Sequence, residues 1–355
     1  MEPSPQPDSS LHGQRGGVAI LFVLCVPLLL GFAALAVDLA RIHLARVELQ
    51  NAADAAALAG ARALSDTEPP PGASDEPYNW PAAATAALDV ARHNIANGVQ
   101  IRDALIETGY WNLKDPTLGL RPSGSSGVPA TGDLPAIRVT VAISGTLNNG
   151  PLKLFFAPVL GIAERTVQAS SIAVLPAAGG GTGIFPWVIG SCMIRDFWDF
   201  DHNCALKDAG GAPLVMDVSI ESIYHEDCFS GTWSTFLDQD NSVPAVRDLI
   251  DHGNPANLAI GDSTWVQSGV EDALFKYDGI PIGKPVPIFV VGNVEPGSWQ
   301  TIVAIAAFVI DDIVKINGKS HILGHLSDNA YFGTTNPGAG TGVPFGAYSP
   351  PVLVK

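Results

Sequence analysis

Positive charge is scarce in this 355-residue sequence: 19 Lys and Arg stand against 35 Asp and Glu, and charged residues make up only 15% of the chain. Nucleic-acid binding needs clustered Lys and Arg to neutralise phosphates; that cluster is missing, so no nucleic-acid partner is expected. The net charge of −16 also argues against a peripheral protein held on anionic lipid by basic residues. Catalytic signatures are missing as well. His225-Glu226-Asp227 lacks the second histidine of a His-Glu-x-x-His site, and Ser230 in CFSGTW is not a Gly-x-Ser-x-Gly elbow. The triple glycine of Pro176 to Gly183 is not followed by the Lys-Ser/Thr of a phosphate loop. Cysteine is scarce: Cys25 lies in an apolar run, leaving Cys192, Cys204 and Cys228, an odd number that allows at most one disulfide among them.

What is abundant is apolar surface, Gly and Pro: 47% hydrophobic residues, 37 Gly and 28 Pro, a composition that favours turn-rich β-structure. Gly16 to Val37 gives 22 residues without a charge, and about 20 apolar residues suffice to cross the hydrocarbon core as a helix. The alternative is a cleaved signal peptide, for which Ala33 to Ala36 offers small residues. However, the run is long and continues into helix-forming sequence, so an uncleaved anchor is expected. Asp38 to Leu64 is alanine-rich, and alanine has the highest helix propensity, so one rod over 16–64 is predicted. Small residues there, Ala52, Ala53, Ala56 and Gly60 with Asp54 and Leu58 among them, also permit close helix packing. That face would meet either a partner or the chain's own sheet.

The stretch Arg15 to Ala61 resembles the N-terminal segment of TadE/TadG-like proteins of Tad (Flp) pilus assembly. The matching residues are Arg15-Gly16, Ala19, Pro27, Gly31, Val37-Asp38, Arg41, Leu49-Gln50 and Ala52 through Ala61. The resemblance implies a single-pass protein of the bacterial inner membrane, with a short cytoplasmic N-terminus and a periplasmic or cell-surface C-terminal part. Its partners would be other Tad/Flp pilus assembly proteins. The charge count alone points the other way, because Arg15 on one side faces Arg41, Arg46 and Arg62 on the other. Pseudopilins of type IV pili are cut after a Gly and before a Phe; here Gly31-Phe32 sits mid-span with Asp38 in place of the downstream Glu, and no processing site is assigned.

Further along, Met1 to Gln14 reads as a polar tail and Ser65 to Pro81, with five prolines, as a linker. A helix is predicted over Pro81 to Gly98. Leu134 to Ser144 alternates, with Ile137, Val139, Val141 and Ile143 on one face, and Glu164 to Leu175 alternates again, both as strands. Leu152 to Ile162 reads as a short apolar helix or an interfacial segment. The pattern from Ala136 to Val174 is similar to the close of the same family's first region. Pro176 to Gly183 reads as a flexible hinge.

The region 184–355 holds 20 acidic against 8 basic residues and is expected to be an exposed acidic domain. Short strands are predicted at Trp187 to Ile189, Leu214 to Val218, Val286 to Val291 and Ile302 to Ile310. A helix is predicted at Val243 to His252, with Val246, Leu249 and Ile250 inward and Gly253 closing it. The fold class is therefore α+β: one transmembrane helix, its alanine-rich extension, then a membrane-proximal unit over 65–175 and a β-rich unit beyond 184.

Chemistry could reside in the constellation Cys192, His202, Cys204, His225 and Cys228, in which the His-x-Cys and His-x-x-Cys spacings of the last four suit tetrahedral zinc. A disulfide and buried thiols are the rival readings. Asp238 to Ser242 resembles the start of a calcium loop but lacks the later Gly and Glu. Asp217-Val218-Ser219-Ile220-Glu221 fails a von Willebrand A metal motif at Glu221. His321 and His325 stand four apart on a loop or strand. The expected function is structural, by protein–protein contact, without cofactor or catalysis. The alternatives are a membrane-tethered metal-dependent hydrolase and an adhesin-like binding domain in the C-terminal region.

Overall fold

The computed structural model describes residues 15–65, 78–130, 132–145, 147–218, 223–225, 228–268, 273–338 and 345–354, with backbone alone for 15–18 and 223–225. The tail 1–14 and residues 66–77 of the proline-rich linker lie outside the described residues.

Helix α1 (Arg15–Ala63) runs unbroken for 49 residues through Pro27. Its halves have opposite surroundings. Ile20, Phe22, Leu24 and Leu29 each stand more than 60% exposed, whereas Ala45, Leu49, Ala52, Ala53, Ala56, Ala57 and Ala61 are buried. The buried positions recur every three or four residues, the stripe of a helix laid against a core. Against that stripe packs α2 (Trp80–Arg92), through Ala83, Ala87 and Ala91. Both faces carry methyl groups, so the helices approach closely, and each methyl-sized group withdrawn from water contributes about 0.8 kcal/mol.

The second helix starts where Asn79 accepts a hydrogen bond from the Ala82 N–H at 3.0 Å, a side-chain cap. It ends earlier than the Gly98 boundary predicted. Ile95–Ala96 and Val99–Gln100 pair as a small hairpin, turned by Asn97 (φ 51°) and Gly98 (φ 73°). Asn-Gly favours this tight hairpin turn, in which both central residues are left-handed.

Beneath the helices lies an antiparallel sheet of β1 (Leu105–Asn112), β2 (Asp133–Ile143) and β3 (Val167–Val174), with Leu120–Arg121 pairing on the outer side of β1. Ile137, Val139, Val141 and Ile143 are all buried in the core shared with α1, the face the alternation selected. At the far end of β2 the buried Asp133 carboxylate accepts from Asn112 Nδ2 at 2.9 Å and pairs with Arg121.

The glycine-rich stretch expected to be a flexible hinge forms strand β4 (Ala178–Gly181) instead. It lies between Leu258–Ala259 and Thr335–Pro337. A methyl group on Gly180 would stand 2.9 Å from the Ala259 Cα, so the glycines are there to let neighbouring backbones close in.

Beyond it come β5 (Trp187–Gly190), β6 (Met216–Val218), β7 (Gly231–Phe236), α3 (Val243–His252), β8 (Ser263–Val266), β9 (Pro285–Val291), β10 (Ser298–Ile316) and β11 (Lys319–Leu326). The strand order is β6-β11-β10-β8-β7-β5-β9, and β9 pairs with β10 as well, so the pairings close into a ring. Within β10, Ala304, Ala306 and Phe308 join one core cluster while Ile302, Ile305 and Ala307 join another. A strand covered on both sides reads as an unbroken apolar run, which accounts for IVAIAAFVI. Helix α3 has the predicted bounds and buries Val246 and Ile250; Leu249 is partly buried, and Gly253 (φ 71°) closes the helix.

Residues 184–355 return to the first sheet at their end. The last strand, β12 (Val352–Leu353), pairs with β3 of the first sheet, Val352 opposite Val174. Tyr348 enters the same core as the α1 stripe, with its hydroxyl 2.9 Å from that of Tyr78. Asn329 Nδ2 donates to the Leu64 carbonyl at 2.8 Å, and the Arg62 guanidinium stacks 3.5 Å from the centre of the Tyr331 ring. The acidic region is therefore an excursion from the first sheet that returns to it.

Candidate functional site

The most organised polar feature next to the bare half of α1 is Asp38, the first residue past the 16–37 span. Its side chain is buried and accepts three backbone N–H groups: Phe155 at 2.8 Å on one oxygen, Phe156 at 2.8 Å and Ala157 at 2.7 Å on the other. Burial works against the ionised form, but the donors at Phe155, Ala157 and Phe156, with Arg41 nearby, outweigh it and hold the carboxyl below its ordinary value. Arg41 stacks on the Phe155 ring at 4.3 Å and donates to Asn97 at 3.3 Å. The Asn97 N–H in turn donates to Glu48 at 2.6 Å. A helix, a hairpin and a loop are thus joined along about three turns of α1, from Asp38 to Glu48.

The loop so held is the predicted apolar segment. Leu152–Lys153 pairs with Glu164–Arg165, and between them lies a single 3₁₀ turn, Ala157–Leu160. With Pro27, Phe32 and Leu35 of α1, the side chains of Phe156, Val159 and Leu160 line an apolar groove of about 400 Å³. Sequence reasoning marked Asp38 as the end of the span but missed its partners, which lie about 117 residues away in the chain and leave no local signal.

Of the residues expected to form a packing face, Ala52, Ala53, Ala56 and Gly60 are buried and Leu58 is half-buried against the same core. Asp54 is half-exposed and accepts from Gln50 one helical turn earlier, at 2.7 Å. The occupant of that face is the chain's own α2 and sheet.

The four candidate metal ligands are not brought together. Cys228 is bonded to Cys192, which removes its thiolate as a ligand, and Cys204 takes no part in that bond. His202 Nδ1 lies 2.7 Å from Asp199 on the surface, and that hydrogen bond, with backbone support, lowers the Asp199 pKa. The backbone of His225 pairs with Cys228, and its side chain lies outside the described residues. Among the described residues no group of three His, Cys, Asp or Glu is placed to hold a metal ion.

Other motifs resolve as ordinary structure. Asp217 meets His321 Nδ1 at 2.9 Å and His325 Nδ1 meets Asp311 at 2.9 Å, so strand β11 directs its two histidines to different carboxylates. Ser219 and Glu221 of the incomplete metal motif lie outside the described residues. Asp238 and Asp240 cap successive turns by accepting from Asp240 and Ser242 N–H groups. Trp187, Trp198 and Trp233 are buried, and Trp265 meets the half-exposed Trp299 edge-on at 5.4 Å.

A helix that is bare and apolar along one half and packed on a sheet along the other defines a class of protein. It is compatible with single-pass membrane anchoring, and its described length and hydropathy are sufficient to cross a membrane. The particular family follows from comparison: residues 16–63 match the Flp pilus-assembly TadE/G-like family model, and residues 59–173 match the Tad-like Flp pilus-assembly model. The N-terminal region through Ala173 is therefore similar to the TadE/G-like proteins of Tad/Flp pilus assembly, the resemblance already carried by the residues from Arg15 to Ala61. No curated protein and no solved structure matches the chain.

Proposed function

We propose that this chain is a membrane-anchored structural component of a Tad/Flp pilus system, acting by contact with other assembly proteins and carrying out no chemistry of its own. The observation that carries the reading is the division of α1, apolar and bare up to Val37, then buried in its own sheet from Ala45 onward. Such a helix fixes a folded unit rigidly at a bilayer surface, because anchor and core are one element. The Cys192–Cys228 bond supports export of that unit, since disulfides persist in oxidising compartments. Two of the cations that confuse the charge count, Arg41 and Arg62, are engaged with aromatic rings of the fold.

The test has two parts. Alkaline phosphatase fused after Lys355 should be active and remain with membranes through alkaline extraction. Deleting the gene should abolish surface pili, with restoration by the intact gene. Normal piliation in the deletion strain would overturn the reading.

A further inference from the structure

We propose that the loop from Phe155 to Ile162 enters the lipid leaflet beside α1 and forms a second, shallow membrane contact. It rests on the reading that α1 crosses the bilayer, and three independent observations lead to it.

The first is length. The span Gly16–Val37 has 22 residues, about 33 Å of helix, against a hydrocarbon thickness of about 30 Å. The loop lies beside Pro27 to Leu35. Lifting it clear of the hydrocarbon would withdraw the eleven residues from Pro27 to Val37 and leave about 16 Å of helix, half of what crossing needs. While α1 spans, the loop is inside.

The second is surface. Val159 is 90% exposed, Leu160 68% and Phe155 66%, and no charge occurs between Lys153 and Glu164. Those two flanking residues are strand partners at the loop's base and both are exposed, where a headgroup layer would meet their charges.

The third is the backbone. Irregular chain can enter hydrocarbon only if its N–H groups are already satisfied. Here the N–H groups of Phe155, Phe156 and Ala157 go to Asp38. Those of Val159, Gly161 and Ile162 go to carbonyls within the loop, that of Leu154 goes to Ala163 at its base, Leu160 closes the 3₁₀ turn, and Pro158 has none to satisfy. Asp38 thus makes the loop compatible with lipid as well as holding it to the helix.

The experiment is depth measurement by spin labelling on the full chain in phosphatidylcholine/phosphatidylglycerol vesicles. Cys25→Ala and Cys204→Ser remove the other thiols and the disulfide is kept. Single labels are placed at Val159→Cys, at Leu24→Cys as the mid-span reference and at Leu237→Cys as the aqueous reference. Val159 should resemble Leu24, with collision by oxygen exceeding collision by a water-soluble nickel chelate several-fold over the ratio at Leu237. A label at Leu160→Cys repeats the reading if Val159→Cys folds poorly. Adding Asp38→Asn should move the Val159 label toward the aqueous ratio.

Leu24 in lipid with Val159 in water overturns this inference alone. Shielding of Val159 from both reagents, as a second copy of the chain would cause, overturns it too. Leu24 in water overturns the crossing itself, and with it the anchoring role proposed above.

Discussion

Gly60 on α1 faces Ala87 on α2 so closely that a methyl group on the glycine would stand 2.9 Å from the alanine Cβ, with Ala83 and Ile137 as near on either side. There is no room for a larger residue unless the helices separate. Gly60→Leu should therefore cost about 1–3 kcal/mol, the usual range for overpacking. Chemical denaturation of the micelle-solubilised full chain measures it. Ala87→Gly, introduced into a Gly60→Ala background, should recover part of the smaller loss, and purely additive effects would count against the contact.

Asp38→Asn exchanges one acceptor oxygen for a donor facing backbone N–H groups. The amides of Phe155, Phe156 and Ala157 should then exchange with deuterium markedly faster, while those of β2 keep their protection. Unaltered protection at all three would mean that the loop is held by packing alone.

The same carboxylate sets a pH dependence. Against the cost of burial, the three backbone donors hold its folded pKa below the ordinary aspartate value, so the stability it contributes is present above that ordinary value and is lost as pH falls through the lower folded one. The stability difference between wild type and Asp38→Asn should be constant from about pH 7 to 5 and shrink below about 3.8. A difference that grows on acidification would refute the assignment.

Cys192 and Cys228 are 36 residues apart in sequence, a loop whose closure restricts the unfolded chain by about 3–4 kcal/mol in the entropic account. Cys228→Ser, or reduction of the wild type, should lower the thermal midpoint of the region beyond β4. Differential scanning calorimetry with and without dithiothreitol reads this directly. Identical traces would show that the bond does not form.

Tyr78 and Tyr348 join the two parts of the fold by a buried hydroxyl contact. Removing either hydroxyl by Phe should cost about 0.5–1.5 kcal/mol, and the double variant should cost less than the sum. Asn203 also donates to Tyr78 at 3.3 Å, so Tyr78→Phe should be the more damaging. Equal effects would show that the Asn203 hydrogen bond adds nothing measurable.

The legible parts of this fold are those whose partners lie nearby in sequence. The period of Val246 and Ile250 with Gly253 behind them fixes α3, and alternation from Ile137 to Ile143 fixes the buried face of β2. Failures came where distant chain decides. Gly179 to Gly181 look like a loose linker because glycine removes side chains, yet the same absence admits Ala259 and Thr335 on either side of a strand. Asn97-Gly98 ended α2 early because turn chemistry overrode alanine propensity. The Asp38 clamp was half visible: a carboxylate just past an apolar span demands partners, but nothing local says that a loop after β2 supplies them. The choice of Cys192 for Cys228 was equally beyond spacing arguments.

Strand β12 bears on the order in which the molecule is completed. Val352 and Leu353 cover the Ala173–Val174 end of the β3 edge, so that end stays open while everything between Ala178 and Tyr348 is still being delivered. A chain halted anywhere in that interval presents an uncovered strand end beside α1. Closure of the sheet is thus a local report, made next to α1, that the distant acidic region has arrived.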